Sequence, residues 1–224
     1  FPDGDLMGWY NVYADAATIN RTWWVAGAPL ILWLYMPYAL LCYLVPLAAI
    51  YSPPAERDPY ARARPWLAGI SAALFAIGMF AWTLIEYVIH RFSFHYTPRG
   101  PIGMFYAYTI HGVHHAFPED DRRWLVPPVI SVAISAAIGL VLSWLLPSTY
   151  PPAFAGGLLG YLLYDLSHYA MHRGPSRFGF FNRLRRRHMQ HHYATPERWF
   201  GVSTPLWDYV FGTTAPDRRE TPSP

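Results

Sequence analysis

The sequence predicts an all-α integral membrane protein with about four transmembrane helices and a cytosolic helical cap that holds a histidine-rich dinuclear metal site. Hydrophobic residues make up 53% of the 224 residues and charged residues only 14%, against roughly 25% charged in soluble domains. Four apolar stretches reach the length of about 20 residues that a bilayer crossing needs. All ten histidines fall in four short groups close to the ends of these stretches.

The predicted crossings are residues 23–51, 66–90, 126–146 and 153–172. Tryptophan and tyrosine at both ends of the first stretch fit the membrane interface, and Pro127-Pro128 fit the first turn of the third helix. The length of the chain predicts one domain. Residues 1–22 are expected to form an N-terminal arm, residues 23–212 a single membrane domain and residues 213–224 a disordered tail.

The histidines follow a repeated pattern. Three imidazoles at i, i+3 and i+4 lie on one face of a helical turn, which predicts that they can reach a metal ion together. Each triplet follows a histidine pair, and in both halves 15 residues separate the pair from the triplet. The groups are His90 with His95, His111-Gly-Val-His114-His115, His168 with His172, and His188-Met-Gln-His191-His192.

The spacing of these groups predicts local geometry and the number of metal ions. His168 and His172 are one helical turn apart, whereas His90 and His95 would lie about 140° apart on an ideal helix. The helix is therefore expected to end or distort near His95, as Pro98 and Gly100 also indicate. Ten imidazoles exceed the roughly four to six ligands of one metal ion and predict two ions. Imidazole binds Fe, Zn, Cu and Ni alike, so the ligands do not select the metal.

Two carboxylates stand in the apolar helices, each shortly before a histidine: Glu86 before His90 and Asp165 before His168. A carboxylate in such a helix is costly and usually functional. We expect both to accept a hydrogen bond from the second N–H of a ligand histidine. The alternative for Glu86 is that it already lies outside the bilayer and is solvated.

All four histidine groups are predicted to emerge on one side of the membrane, because the 52 residues between His115 and His168 just fit two crossings and a tight turn. Residues 90–123 and 173–224 hold 13 of the 17 arginines, which places that side in the cytoplasm. The run Arg183-Leu-Arg-Arg-Arg187 is interpreted as a contact with lipid phosphates, with docking of an acidic electron donor as the alternative. The net charge of +3 gives no support for nucleic-acid binding.

The histidine pattern resembles that of the fatty acid hydroxylase/sterol desaturase superfamily of membrane di-iron enzymes. The flanking sequences are most similar to those of the fatty acid 2-hydroxylases, over about residues 23–212. They include Glu86-Tyr-Val-Ile-His-Arg-Phe-Ser-Phe-His95, Ile110-His-Gly-Val-His-His-Ala-Phe-Pro118, Gly160-Tyr-Leu-Leu-Tyr-Asp-Leu-Ser-His168 and Gly201-Val-Ser-Thr-Pro-Leu-Trp-Asp208.

The resemblance implies hydroxylation with O2 as co-substrate at C2 of an acyl chain, as a free fatty acid or within a sphingolipid or ceramide. It implies two Fe ions bound by the ten histidines, with Zn as a substitute in purified protein. Residues 1–22 do not contain the cytochrome b5 domain of many eukaryotic relatives, so a separate donor, cytochrome b5-like or a ferredoxin, is expected unless a region upstream of Phe1 holds that domain. The membrane would be the bacterial inner membrane or the endoplasmic reticulum, according to the source.

Two alternatives remain open at this point. A relative in the same superfamily could instead hydroxylate or desaturate a sterol or a carotenoid. A membrane metal transporter would need ionisable residues along the middle of its crossings, whereas the middles of these four stretches are apolar and the histidines lie at one end.

Overall fold

The computed structural model describes residues 24–25, 28–51, 62–126, 128–147 and 149–216. The predicted N-terminal arm therefore lies outside the described residues. Within the described residues the chain is mostly helical, with one short antiparallel pair of strands, β1 (Trp24–Val25) and β2 (Ala28–Pro29). The α-helices are α1 (Leu30–Tyr51), α2 (Arg64–Ile89), α3 (Pro101–Ala107), α4 (Val113–Ala116), α5 (Pro128–Leu145), α6 (Tyr150–Arg173), α7 (Gly179–Tyr193) and α8 (Leu206–Phe211).

The four apolar stretches coincide with α1, α2, α5 and α6, but two boundaries differ from the prediction by three residues or more. Helix α1 begins at Leu30 rather than at residue 23 because the β1–β2 pair precedes it. Helix α6 begins at Tyr150 and includes two prolines in its first turn, where the missing N–H has no intrahelical partner to lose. Among the described residues, one helix, Arg64–Phe94, is long and apolar enough to cross a membrane.

The chain divides into two compact units. One comprises the described residues within 24–82 and 126–163. Close backbone contact joins α2 to α6 in this unit. A Cβ atom on Gly78 would overlap the Ala153 carbonyl, and one on Gly156 would overlap the Phe75 carbonyl. Glycine at these positions lets the two helix backbones touch, as in other closely packed helix pairs of membrane proteins.

The other unit comprises residues 83–125 and 164–216 of the described chain and contains all ten histidines. Two π-helices lie in it, His90–Phe94 directly after α2 and Tyr108–Gly112 between α3 and α4, and a 3₁₀ turn follows at Asp121–Arg123. Helices α7 and α8 complete the unit.

The first residues of the predicted disordered tail belong to this unit. Thr213 is buried, and its carbonyl accepts a hydrogen bond from the Trp199 N–H at 2.9 Å. The Gln190 side chain donates to the Pro216 carbonyl at 2.8 Å. These contacts hold residues 213–216 against the unit, and for residues 217–224, which lie outside the described chain, the disordered tail stays a prediction.

Replacing Gly78 by alanine is predicted to destabilise the α2–α6 pair by about 1–3 kcal/mol, because the added methyl group meets backbone that cannot move away without separating the helices. Gly69→Ala in the same helix is the matched control, since nothing lies within 4 Å of its Cβ position and alanine favours helix. Thermal unfolding of the detergent-solubilised variants measures the difference, and equal midpoints for the two variants would contradict the close contact.

Candidate metal centre

The ten histidines form two clusters of five, and within each cluster one nitrogen per residue lies within 4.8 Å of the others. Each cluster could therefore hold a metal ion. The two clusters are neighbours, since the rings of His115 and His192 have centroids 4.3 Å apart. The first cluster is His90, His95, His111, His115 and His191, and the second cluster is His114, His168, His172, His188 and His192.

Each histidine triplet divides between the two clusters. His111 and His115 lie in the first cluster and His114 in the second, while His188 and His192 lie in the second and His191 in the first. Residues four apart on a helix point about 40° from each other, whereas a residue three apart is turned about 60° to the opposite side. The expectation that one triplet reaches one metal ion together is therefore corrected: its third position serves the other cluster.

A π-helical turn brings His90 and His95 together. The His95 N–H bonds the His90 carbonyl at 3.1 Å, and this i+5 bond defines the wider turn of a π-helix. The wider turn places the two rings on one side, with centroids 5.0 Å apart. The distortion predicted from the five-residue spacing is confirmed, although the sequence did not indicate its type.

Backbone carbonyls fix the orientation of three of the imidazoles. His90 Nδ1 lies 2.6 Å from the Phe200 oxygen, His191 Nδ1 lies 2.6 Å from the Arg198 oxygen, and His168 Nδ1 lies 2.8 Å from the Trp124 oxygen. A carbonyl oxygen only accepts, so Nδ1 carries the proton in each ring. The Nε2 atom of each of these rings is then unprotonated, and its lone pair faces the cluster to which the ring belongs.

The Nε2 atoms converge closely. His111 Nε2 lies 3.1 Å from that of His90 and 3.0 Å from that of His115, and His188 Nε2 lies 2.9 Å from that of His172. A ring whose Nδ1 carries the proton cannot donate from Nε2, so His90, His168 and His191 each direct an acceptor lone pair into their cluster. The donor set therefore fits two metal ions that accept imidazole.

Burial and mutual repulsion keep these rings uncharged. Burial lowers the pKa of His111, His188 and His191 well below the usual value, and neighbouring histidines lower it further. The pKa of His115 falls to about 2 for the same two reasons. The imidazoles are thus neutral at physiological pH, the state in which histidine binds a metal ion.

Glu86 is buried, but its carboxylate does not bond a histidine. It accepts hydrogen bonds from the N–H groups of Val202 and Ser203, at 2.6 Å and 2.8 Å, and from the Ser203 hydroxyl. The prediction of a direct contact is corrected, because the His90 Nδ1–H is already bound to the Phe200 carbonyl. Glu86 instead holds the segment that carries this carbonyl, which we call the 198–203 loop.

Asp165 is fully buried in α6. His168, its predicted partner, has one Nδ1–H, and that donor is bound to the Trp124 carbonyl. The expected hydrogen bond from His168 to Asp165 is therefore replaced by a bond to the backbone.

Asp208 at the start of α8 is a buried carboxylate that the sequence reasoning did not select. It accepts hydrogen bonds from the N–H groups of Phe200 and Gly201, at 2.8 Å and 2.9 Å, and from the Thr213 hydroxyl at 2.7 Å. Burial raises the pKa of Asp208, and these hydrogen bonds partly offset the rise because they favour the ionised form. The signal available in the sequence was a single acidic residue, Asp208, within the otherwise apolar segment Leu206–Phe211.

The arginine run in α7 is partly bound within the protein. Arg185 donates to the Met171 carbonyl at 2.8 Å, and Arg187 donates to the Tyr209 hydroxyl at 2.9 Å. The Arg187 guanidinium also lies 4.9 Å from the centre of the Trp199 ring, a cation–π distance. Arg183 and Arg186 are exposed, and for them the contact with lipid phosphates stays a prediction.

We predict that the metal-free protein loses stability as the pH falls below about 6.5. Below this pH the histidines of the unfolded chain bind protons, whereas the buried histidines of the folded protein stay neutral. The folded-state pKa of these histidines is lowered, so their contribution is complete above the unfolded pKa and is lost progressively below it. The loss is at most about 1.4 kcal/mol per pH unit for each histidine. Thermal unfolding between about pH 7.5 and 5 measures it, and a midpoint unchanged by acid would contradict the prediction.

Comparisons with known proteins cover the part of the chain that carries these clusters. Residues 75–213 match the profile of the fatty acid hydroxylase family. The fatty acid 2-hydroxylase of Macaca fascicularis is 43% identical over 151 residues, which are 65% of this chain and 40% of that protein. The dihydroceramide fatty acyl 2-hydroxylase of Arabidopsis thaliana is 38% identical over 138 residues, 61% of this chain and 58% of that protein.

A solved structure of full-length scs7p, in which only the hydroxylase domain is visible, superposes with a TM-score of 0.70 and 32% sequence identity. The match covers 83% of this chain and 66% of that one. The chain spans about two fifths of the length of the Macaca relative. The profile match covers more than half of the chain and includes all ten histidines, so the protein is a member of the fatty acid hydroxylase family.

Proposed function

We propose that this protein is a monooxygenase that uses O2 to hydroxylate C2 of a fatty acyl chain, either as a free fatty acid or within a ceramide or other sphingolipid. The observation that carries the proposal is the pair of adjacent five-imidazole clusters. Two relatives that match more than three fifths of the chain are named as fatty acid 2-hydroxylase and dihydroceramide fatty acyl 2-hydroxylase.

The ten histidines are proposed to hold two iron ions, one in each cluster, and zinc would fit the same imidazole ligands. Breaking an unactivated C–H bond needs an oxidant that no side chain provides, and bound iron with O2 would supply it. The protein contributes the ligand geometry: neutral rings, Nδ1 protons bound to carbonyls, and Nε2 lone pairs that converge. Loss of an orienting partner of this kind typically lowers metal affinity by about 10- to 100-fold.

Glu86 is proposed to orient His90 indirectly. Its carboxylate binds two consecutive N–H groups of the 198–203 loop, and the carbonyl of Phe200 in the same loop accepts from His90. A shift of this loop would therefore turn the His90 ring. Asp165, buried in α6, remains a candidate for a similar positioning role.

The helices α1, α2, α5 and α6 are proposed to cross a bilayer, with the histidine clusters on the cytoplasmic side. Helix α2 has 26 residues, about 39 Å of helix for a hydrocarbon core of about 30 Å. Large apolar side chains lie exposed along these helices, as expected for contact with lipid. They include Leu41 and Val45 in α1, Ile70 and Ile77 in α2, and Leu140 and Trp144 in α5.

The reaction needs electrons, and a separate cytochrome b5-like protein or a ferredoxin is proposed as their source. Arg183 and Arg186 are exposed on α7, the helix that also carries three of the histidines. Exposed arginines close to the metal centre would favour the approach of an acidic donor. The same charges would favour anionic lipid headgroups if this face lies against the membrane.

Anaerobic loading with ferrous iron, followed by O2, a reductase system and a C16 fatty acid, is predicted to yield a 2-hydroxy acid detectable by mass spectrometry. His111→Ala should reduce the product by at least about 100-fold, since it removes a buried ligand. Gln190→Ala is the control, because Gln190 lies between two histidines on α7 but directs its side chain to the Pro216 carbonyl. Product at another carbon, or only from a sterol or carotenoid, would overturn the C2 assignment.

The division of each triplet gives a second prediction. His111→Ala with His114→Ala, two changes in one triplet, should weaken both metal sites, whereas His114→Ala with His188→Ala should weaken only one, because both belong to the second cluster. Metal content per chain after dialysis against a chelator measures this. Equal losses in the two double variants would contradict the assignment of ligands to clusters.

A further inference from the structure

The 198–203 loop accepts hydrogen bonds from two of the five histidines in the first cluster, both at carbonyl oxygens. The Arg198 oxygen accepts from His191 and the Phe200 oxygen accepts from His90, each at 2.6 Å. The position of this one loop thus sets the orientation of two rings on different helices. Whatever holds the loop also holds the first cluster.

Asp208 holds the loop at the residue that matters most for His90. Its Oδ1 atom accepts from the Phe200 N–H, and its Oδ2 atom accepts from the Gly201 N–H. The Phe200 N–H therefore donates a hydrogen bond to Asp208, and the Phe200 carbonyl accepts one from His90. Asp208 has no exposed surface, so water does not compete for these hydrogen bonds.

A chain of donors supports the carboxylate from the opposite side. The Thr213 hydroxyl donates to Asp208 Oδ1 at 2.7 Å. Its only proton is then used, so the Tyr87 hydroxyl, 3.0 Å away, donates to Thr213. Arg91 in turn donates to the Tyr87 hydroxyl at 2.9 Å. Every donor in this chain points toward Asp208, which favours its ionised form and keeps both oxygens as acceptors.

The second cluster is held differently. In the described part of the chain, the Nδ1 atoms of His114, His188 and His192 have no hydrogen-bond partner. His168 bonds the Trp124 carbonyl and His172 has a backbone hydrogen bond at Pro118, both outside the 198–203 loop. A change in this loop should therefore act on one cluster and leave the other intact.

We propose that Asp208 is a positioning residue that sets the metal affinity of the first cluster selectively, by holding the Phe200–Gly201 peptides against His90. The inference rests on the proposed role of the two clusters as metal sites. Beyond that role, it states that the metal affinity of the first cluster depends on Asp208 and that of the second cluster does not, although Asp208 is a ligand in neither cluster.

The isosteric variant Asp208→Asn is a demanding test. The amide can keep its oxygen toward Phe200 and Thr213, but its NH2 group then faces the Gly201 N–H, and two donors oppose each other. The loop must shift to relieve this contact. We expect the affinity of the first cluster to fall by about 10- to 100-fold, the usual effect of losing an orienting partner, while the second cluster keeps its affinity.

The experiment measures ferrous or zinc ion per chain at equilibrium with a competing chelator, for the full chain in detergent. Asp208→Asn should lose one of the two metal ions, and Asp121→Asn, the same change at an exposed carboxylate, should lose none. Combined with His188→Ala, which damages the second cluster, Asp208→Asn should leave almost no metal. Combined with His90→Ala, which damages the first cluster, it should cause no further loss.

Equal loss of metal from both clusters, or retention of both ions, would overturn the proposal. A general structural role of Asp208 would cause equal loss from both clusters together with a large fall in the unfolding midpoint. If Asp208→Asn does not yield folded protein, Thr213→Val removes a single hydrogen bond from Asp208 and should give a smaller loss with the same selectivity. Wild-type protein that binds two ions but forms no hydroxylated product would refute the proposed activity and leave this inference standing.

Discussion

The convergence of ten uncharged imidazoles at two points, six of them buried and four partly buried, is the constraint on which the histidine-bearing unit depends. Each ring can serve a metal ion only if its proton sits on the far nitrogen, and a buried N–H needs an acceptor. His90, His168 and His191 meet this requirement with backbone carbonyls, and His172 has a backbone hydrogen bond at Pro118. The chain between the histidines must therefore run in irregular paths that place carbonyl oxygens behind the rings, rather than continue as helix.

Helical periodicity explains why the clusters are interleaved. A helix that approaches two neighbouring points can supply i and i+4 to one of them and i+3 to the other, so a single triplet serves both. Neither triplet completes a cluster, and each cluster draws on both halves of the chain. The repeated pattern thus does not correspond to one metal site per half, and damage to one triplet should spread to both sites.

Much of this arrangement is visible in the sequence because it depends on side-chain type and local spacing. The apolar helices, the ten histidines and the distortion near His95 all follow from residue type and from the 3.6-residue turn. The carbonyl groups that orient the histidines cannot be predicted in this way. Every residue has a carbonyl oxygen, and no feature of the sequence distinguishes Phe200 or Trp124. The partners of Glu86 were also hidden, since they lie 116 and 117 residues away in the chain.

The 198–203 loop shows how a buried irregular segment can be stable. Its Phe200 and Val202 side chains are almost fully buried, so its peptide groups cannot rely on water. Four consecutive N–H groups are instead bound by two carboxylates, Asp208 for the first two and Glu86 for the next two. Two of its carbonyls are thereby left available for histidines. Because both sets of hydrogen bonds act on the same peptides, the carboxylates and the imidazoles position each other, and the loop transmits any change between them.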